Sequence, residues 1–129
     1  MNLKNVSVSN VANHGIHISD CSFADDCGSG SGGGGDGSNA SVSVLFNGVT
    51  IDNAGNGKFD ADGLRVDERG IGSIYFKSFA STFKNVGADG VELDEGDEGS
   101  IYTQVKKILS MLTVSTAVLI NSVLTTKLL

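Results

Sequence analysis

Residues 61–75 read ADGLRVDERGIGSIY and residues 88–102 read ADGVELDEGDEGSIY, so that each position recurs with a period of 27. Nine of the 15 aligned positions are identical, and the exchanges Leu64/Val91 and Val66/Leu93 keep an apolar side chain. A period of about 20–50 residues is typical of solenoids, in which each unit buries its apolar face against its neighbours. The repeat therefore predicts a coil of stacked rungs.

A degenerate copy of the repeat lies near the N-terminal end, where residues 10–18 keep its spacing of Asn, Gly and apolar side chains. The spacing between Gly15 and Gly63 is 48, which exceeds the period by 21. We assign this excess to a Gly/Ser-rich loop at 25–40 and to a shorter insertion at 55–59. Such a glycine-rich run buries too little surface to offset its ordering entropy, so it is expected to leave the coil.

Apolar and polar residues alternate in short runs that Asn and Gly interrupt, a pattern typical of half-buried strands. Each unit is expected to contain about three such strands. Equivalent residues then form two inward ladders, Ile16/Leu64/Val91 and Ile18/Val66/Leu93, and an outward column, His17/Arg65/Glu92. We expect Arg65 and Glu92 to form an exposed cross-strand pair, which adds about 0.2–1 kcal/mol and favours the correct register.

The predicted organisation is a set of rungs over residues 1–105, followed by an atypical segment over 106–129. The period places residues 117–121 over 90–94, which indicates a degenerate last rung or a cap. Residues 108–126 carry no charge, so a membrane-spanning or interfacial helix is an alternative interpretation. A third is a foreign tail, produced by truncation or by a shifted reading frame.

Composition narrows the classes of partner. The formal net charge is −6 and the chain has no cluster of Lys and Arg, which argues against a nucleic-acid partner. Cys21 and Cys27 are expected to form either a small-loop disulfide or two free thiols. No signal peptide is evident at the N-terminal end, so we expect either an intracellular protein or a chain that lacks its natural N-terminus.

Residues 85–93, NVGADGVEL, and their relatives at 10–18 and 53–66 resemble the right-handed parallel β-helix repeat proteins, the architecture shared with pectate lyases. The resemblance covers residues 3–105. It implies an all-β, right-handed parallel β-helix solenoid of about three to four rungs, as a fragment of a secreted or cell-surface protein. It implies little about activity, because this fold carries lyases, hydrolases, adhesins and tailspikes.

The resemblance also implies a polysaccharide partner and, for an enzyme, a polysaccharide lyase. Lyases of this architecture use an Arg as base and carboxylates on one parallel sheet to hold Ca²⁺. On that basis Arg65 and Arg69 are the catalytic candidates, although no further lyase motif matches.

Stacked carboxylates indicate a candidate metal site. In the repeat register Asp67 lies on Asp94 and Glu68 on Glu95, with Asp20 extending the second column. Like charges facing one another in a sheet are destabilising, and oxygen ligands of this kind suit Ca²⁺. We therefore predict Ca²⁺ as the only cofactor, bound by Asp67, Glu68, Asp94 and Glu95. The alternative is that these carboxylates splay into water at a turn.

The remaining polar residues of the repeat are expected to have structural roles or to lie at the surface. Asp62 and Asp89 are expected to accept turn hydrogen bonds, with Gly63 and Gly90 supplying backbone freedom. Residues 60–63 resemble half of a calcium loop but fail the spacing of an EF-hand. The two histidines, His14 and His17, are expected to be exposed polar residues rather than catalytic bases.

The sequence thus favours a structural or carbohydrate-associated β-helix module, stabilised by Ca²⁺, over an enzyme. A polysaccharide lyase and a small protein tethered to a membrane through 108–126 are the alternatives. Self-association through the exposed ends of the coil is expected, because unpaired parallel edges can pair with another chain.

Overall fold

The computed structural model describes residues 1–20, 37–55, 61–106 and 118–121. Most of the loop predicted at 25–40, both cysteines and most of the segment 106–129 lie outside these residues. The chain is all-β, as predicted. Its described strands are β1 (Asn2–Lys4), β2 (Ser7–Val11), β3 (Ile16–Ser19), β4 (Val42–Asn47), β5 (Thr50–Ala54), β6 (Leu64–Glu68), β7 (Ile74–Phe79), β8 (Thr82–Lys84), β9 (Val91–Glu95), β10 (Ile101–Lys106) and β11 (Val118–Asn121).

Three parallel sheets form the sides of a β-solenoid. Sheet 1 contains β1, β4, β7 and β10 in that order, sheet 2 contains β2, β5 and β8, and sheet 3 contains β3, β6, β9 and β11. Each complete rung gives one strand to each sheet, as β7, β8 and β9 do in the third rung. Self-association through the exposed ends of the coil stays a prediction.

The pairing register confirms the period. Paired residues are 27 apart in sequence between β6 and β9, between β7 and β10, and between β9 and β11. The offset is 43 between β2 and β5 but 48 between β3 and β6. Relative to the period of 27, the chain therefore has sixteen extra residues between β3 and β4 and five more between β5 and β6. This is the division of the 21 extra residues that the two glycine-rich stretches predict.

Apolar side chains at alternate strand positions fill the coil. Leu64 and Val66 are fully buried, with the predicted ladder partners from β3 and β9 on either side. From sheet 1, the rings of Phe46 and Phe76 meet edge to face with centroids 5.8 Å apart. Each such buried side chain contributes about 1.5–3 kcal/mol.

Asparagine turns the chain at one corner of each of the first three rungs. Asn10, Asn53 and Asn85 occupy equivalent positions and have φ values of 57°, 57° and 52°. Asn adopts this left-handed conformation more readily than most residues, because its short polar side chain bonds locally. The Asn53 side-chain amide also donates to Asn10 Oδ1 at 2.8 Å. The column therefore fixes both the turn and the stacking of neighbouring rungs.

Glycine is required where neighbouring rungs approach closely. A Cβ atom on Gly63 would lie 2.5 Å from the carbonyl oxygen of Gly90, and one on Gly15 would lie 2.6 Å from that of Gly63. Neither Gly63 nor Gly90 has a positive φ. The expected role of these two glycines in turn torsion is therefore wrong for this chain, and Gly63 is needed because of the contact between backbones.

Candidate functional site

Charged side chains line the outer side of sheet 3. Residues at alternate positions of β6 face opposite ways, so Arg65 and Asp67 lie opposite the core residues Leu64 and Val66. We call the following group the sheet 3 cluster: His14, His17, Asp62, Arg65, Asp67, Arg69, Asp89, Glu92 and Asp94.

The outward column has the predicted register, with His17 beside Arg65 and Arg65 beside Glu92. The expected exposure is wrong, because the Arg65 side chain is only 1% exposed and that of Glu92 13%. Side chains from the rungs on both sides flank the guanidinium. Arg65 Nη1 donates to Glu92 Oε2 at 3.1 Å, and Nε donates to Asp67 Oδ2 at 3.1 Å. This is a buried ion pair, which constrains the register more strongly than an exposed one.

Arg69 lies between the first pair of stacked carboxylates. Its Nη2 is 2.6 Å from Asp94 Oδ2 and 3.3 Å from Asp67 Oδ1. On the other side, His17 Nε2 is 2.6 Å from Asp67 Oδ2. Burial raises the pKa of Asp67, but hydrogen bonds with His17 and Arg65 outweigh it and hold the pKa below its usual range. Asp67 is therefore an ionised group that contacts side chains from two rungs.

The second pair of stacked carboxylates caps the backbone at a corner. Glu68 Oε1 accepts a hydrogen bond from the Gly70 N–H at 3.1 Å. One rung further on, Glu95 Oε1 accepts from Asp97 N–H at 3.0 Å and from Gly99 N–H at 3.2 Å. The stacked glutamates thus satisfy backbone donors in the turn that leads into sheet 1.

Glu68 is the carboxyl group at this corner whose charged form is disfavoured. Asp20 extends the column as predicted, because its N–H donates to the Asp67 carbonyl and places Asp20 beside Glu68. Burial, and then the negative charges of Asp20 and Glu95, raise the pKa of Glu68 to about 7, although the Gly70 N–H bond lowers it. Among the described residues, Glu68 Oε2 has no hydrogen-bond partner.

These contacts bear on the predicted calcium ligands. The Arg69 guanidinium neutralises Asp67 and Asp94, and backbone N–H groups take one oxygen each of Glu68 and Glu95. Calcium binding by these four residues stays a prediction.

The catalytic candidates are the same two arginines that hold the cluster together. The Arg65 side chain is 1% exposed and that of Arg69 5%; Arg65 lies within 4 Å of three carboxylates and Arg69 of two. A general base must lie within reach of the substrate, and both side chains are almost inaccessible to solvent. A catalytic role for Arg65 or Arg69 likewise stays a prediction.

A third carboxylate group was not predicted from the sequence. Asp62, Asp89 and Glu92 each offer one oxygen, and these three oxygens lie within 4.8 Å of one another. Asp62 Oδ1 accepts from the Asp89 N–H at 3.0 Å, which is a bond to the neighbouring rung rather than the expected bond within its own turn. The signal was in the repeat, since the period places Asp62 beside Asp89, three positions before Glu92.

Both histidines contact carboxylate-bearing residues of the sheet 3 cluster; the expected exposure is confirmed for His17 and wrong for His14. The His14 side chain is 8% exposed, and its Nδ1 accepts the Asp62 N–H at 3.0 Å. His17 is more open, at 35%, and is bound to Asp67. The pairing of β3 with β6 makes His17 and Asp67 diagonal neighbours, a relationship visible only once the inserted residues are counted correctly.

No protein-family model, curated protein or solved structure matches the chain. The function must therefore be inferred from the residues and their geometry. Within the ranges that the structure describes, no helix is long and apolar enough to span a membrane. The tether predicted at 108–126 falls outside those ranges, except for β11, which pairs with β9 in the register that the period predicts.

Proposed function

We propose that the chain is a structural module of a secreted or surface protein, associated with carbohydrate and built on the pectate-lyase-like β-helix architecture. The structural role is inferred from three side-chain contacts in the sheet 3 cluster, because each of them connects neighbouring rungs. His17 to Asp67, Arg65 to Glu92 and Arg69 to Asp94 each join one rung to the next.

Burial supports this role over catalysis. The side chains of Asp62 and Asp67 are inaccessible to solvent, and that of Arg65 nearly so. A polysaccharide cannot reach groups in that position without opening the cluster. The same charges are well placed to specify register, because a slip between rungs would leave buried charges without partners.

The outer face of sheet 1 supports the association with carbohydrate. Tyr75 and Tyr102 are 42% and 46% exposed, and their rings stack with centroids 4.9 Å apart and an interplanar angle of 6°. Lys77 and Lys106 are exposed on the same face. The strands β1, β4, β7 and β10 contain no Asp or Glu, although the chain has a net charge of −6. This face is therefore locally positive.

The stacking of the two tyrosines favours one class of ligand. Each ring covers one face of the other. A chain rich in hydroxyl and carboxylate groups can bind to the tyrosine hydroxyl groups and to the ammonium groups beside them. These features support an acidic polysaccharide.

Affinity electrophoresis through gels that contain polygalacturonate or alginate tests this association. We expect the mobility of the chain to be retarded, and the double variant Lys77→Gln/Lys106→Gln to lose the retardation. Lys84→Gln, on sheet 2, is a matched control that removes a charge elsewhere and should keep it. Equal loss in all variants, or no retardation at low salt, would contradict the assignment.

The alternative function, a polysaccharide lyase, is tested by a separate ultraviolet assay. Incubation of the chain with the same polyuronates should leave the ultraviolet absorbance of the solution unchanged. A steady increase from an unsaturated product would show lyase activity and replace the structural proposal.

A further inference from the structure

The group Asp62, Asp89 and Glu92 joins the second rung to the third. Asp62 lies just before β6, while Asp89 and Glu92 belong to the turn before β9 and to β9 itself. Within the described residues it is the one set of three carboxylate or imidazole groups close enough to share an ion. Its ligand atoms are all oxygens, which suit a hard dication.

An oxygen of Asp62 provides an independent indication of a ligand. The residue is fully buried, and its Oδ2 accepts no hydrogen bond from the described residues. His14 Nδ1 lies 3.2 Å from Oδ2, but it already accepts the Asp62 N–H at 3.0 Å. A ring nitrogen that accepts a hydrogen bond presents a lone pair and cannot also donate. The nearest guanidinium nitrogen, Arg65 Nη1, is 3.8 Å away and beyond hydrogen-bond distance.

The balance of charge points the same way. One oxygen each of Asp62, Asp89 and Glu92 lies within 4.8 Å of the other two. Carboxylates this close to one another repel unless a proton or a cation lies between them. Arg65 supplies only part of this charge, because its Nε is bound to Asp67.

We propose that Asp62, Asp89 and Glu92 bind one Ca²⁺ ion, which fastens the second rung to the third. Ca²⁺ accepts six to eight oxygen ligands in loose geometry, so water can complete a set of three carboxylates. The inference deepens the structural role proposed above and moves calcium away from the four stacked carboxylates that the sequence singled out. Polyuronate retention involves none of these residues, so failure of calcium binding would leave the carbohydrate assignment intact.

Calorimetric titration of the full chain with CaCl₂, after treatment with EGTA, tests the site. We expect one binding event and a melting temperature that rises with Ca²⁺ concentration. Asp89→Asn should weaken binding by about tenfold or more, since even outer-shell changes at metal sites lower affinity about 10–100-fold. Asp97→Asn is the matched control, because it removes an exposed carboxylate from the next turn of the same rung.

Glu92→Gln provides a second variant if circular dichroism shows that Asp89→Asn does not fold. Three results would overturn the proposal. One is the absence of both heat and a melting shift at millimolar Ca²⁺. Another is equal loss of binding in Asp89→Asn and Asp97→Asn. The third is binding that survives in Asp89→Asn or Glu92→Gln but disappears in Asp94→Asn.

Discussion

Arg69 Nη2 lies 2.6 Å from Asp94 Oδ2, and the same nitrogen lies 3.3 Å from Asp67 Oδ1. The guanidinium thus separates two carboxylates that the repeat register places side by side. Stacked acidic residues in a parallel sheet repel one another, and here an arginine of the same rung as Asp67 removes that repulsion. The sheet 3 cluster therefore combines neutralisation with a bond between rungs.

Replacement of Arg65 by Met should strongly destabilise the fold. The change leaves Asp67 and Glu92 without their shared cation, and breaking a buried pair by removing one partner costs about 3–5 kcal/mol. Lys84→Met is a matched control, because its pair with Asp52 is largely exposed and worth about 0–1 kcal/mol. The free energies of unfolding in urea measure both effects. Equal, small losses would show that the sheet 3 cluster does not hold the rungs together.

Alanine at two equivalent glycines should have different effects. Gly63→Ala places a Cβ atom 2.5 Å from the Gly90 carbonyl oxygen, whereas the nearest atom to a Cβ on Gly90 is Phe83 Cβ at 3.5 Å. Forcing the backbones apart at Gly63 should lower the free energy of unfolding by about 1–3 kcal/mol. Gly90→Ala should change it little. Thermal unfolding of both variants measures the difference, and similar melting temperatures would contradict the close approach of the second and third rungs.

Ala80 offers a route to higher stability. Its φ of 48° lies in the left-handed region, at the corner position that Asn5 and Gly48 occupy in earlier rungs. An L-residue with a Cβ costs about 1–2 kcal/mol there, so Ala80→Gly should raise the free energy of unfolding by about 0.5–1 kcal/mol after the greater freedom of the unfolded chain is counted. Ala88→Gly, at a residue without positive φ, should lower it. A lower free energy of unfolding in both variants would contradict the left-handed conformation assigned to Ala80.

Stability should decrease between mildly acidic and neutral pH. The pKa of Glu68 is raised from 4.5 to about 7 by burial and by its acidic neighbours, so the folded chain retains a proton that the unfolded chain releases. The free energy of unfolding therefore decreases as pH rises from about 4.5 to about 7, by an amount on the order of 3 kcal/mol. Urea titrations at several pH values measure the slope, which Glu68→Gln should remove.

At acidic pH the free energy of unfolding changes in the opposite direction, and it decreases as pH falls. Burial raises the pKa values of Asp62 and Asp67, but hydrogen bonds, with the Asp89 N–H for Asp62 and with His17 and Arg65 for Asp67, lower them further. Both groups stabilise the fold while they are ionised, and that stability is lost as pH falls below about 4. Maximum stability is expected near pH 4–5. An unfolding free energy that stays constant from pH 4.5 to 7 would contradict the buried position of Glu68.

Most of the architecture was predictable from the sequence because a solenoid repeats its geometry in its residues. The match between residues 61–75 and 88–102 sets the period, and alternation separates Leu64 and Val66 from Arg65. The two insertions were also accessible, since Gly and Ser mark the places where the chain leaves the coil. In each case local pattern and packing point to the same structure.

The candidate site was predictable only in part. Register alone places Asp67 beside Asp94, but it does not show that Arg69 folds back between them. The contact between His14 and Asp62 depends on burial across two rungs that a long insertion separates in sequence. Side-chain reach and desolvation, rather than strand periodicity, decide which charges meet.

A double-mutant cycle on Arg69 and Asp94 tests the central claim that buried charges couple neighbouring rungs. Unfolding free energies are measured in calcium-free buffer for the parent chain, Arg69→Met, Asp94→Asn and the double variant. We predict a coupling energy of about 1–3 kcal/mol, because Arg69→Met leaves the Asp94 carboxylate without its guanidinium, while Asp94→Asn removes the nearer of the two carboxylates that Arg69 contacts. Additivity within about 0.5 kcal/mol would show that the two side chains do not interact and would contradict the account.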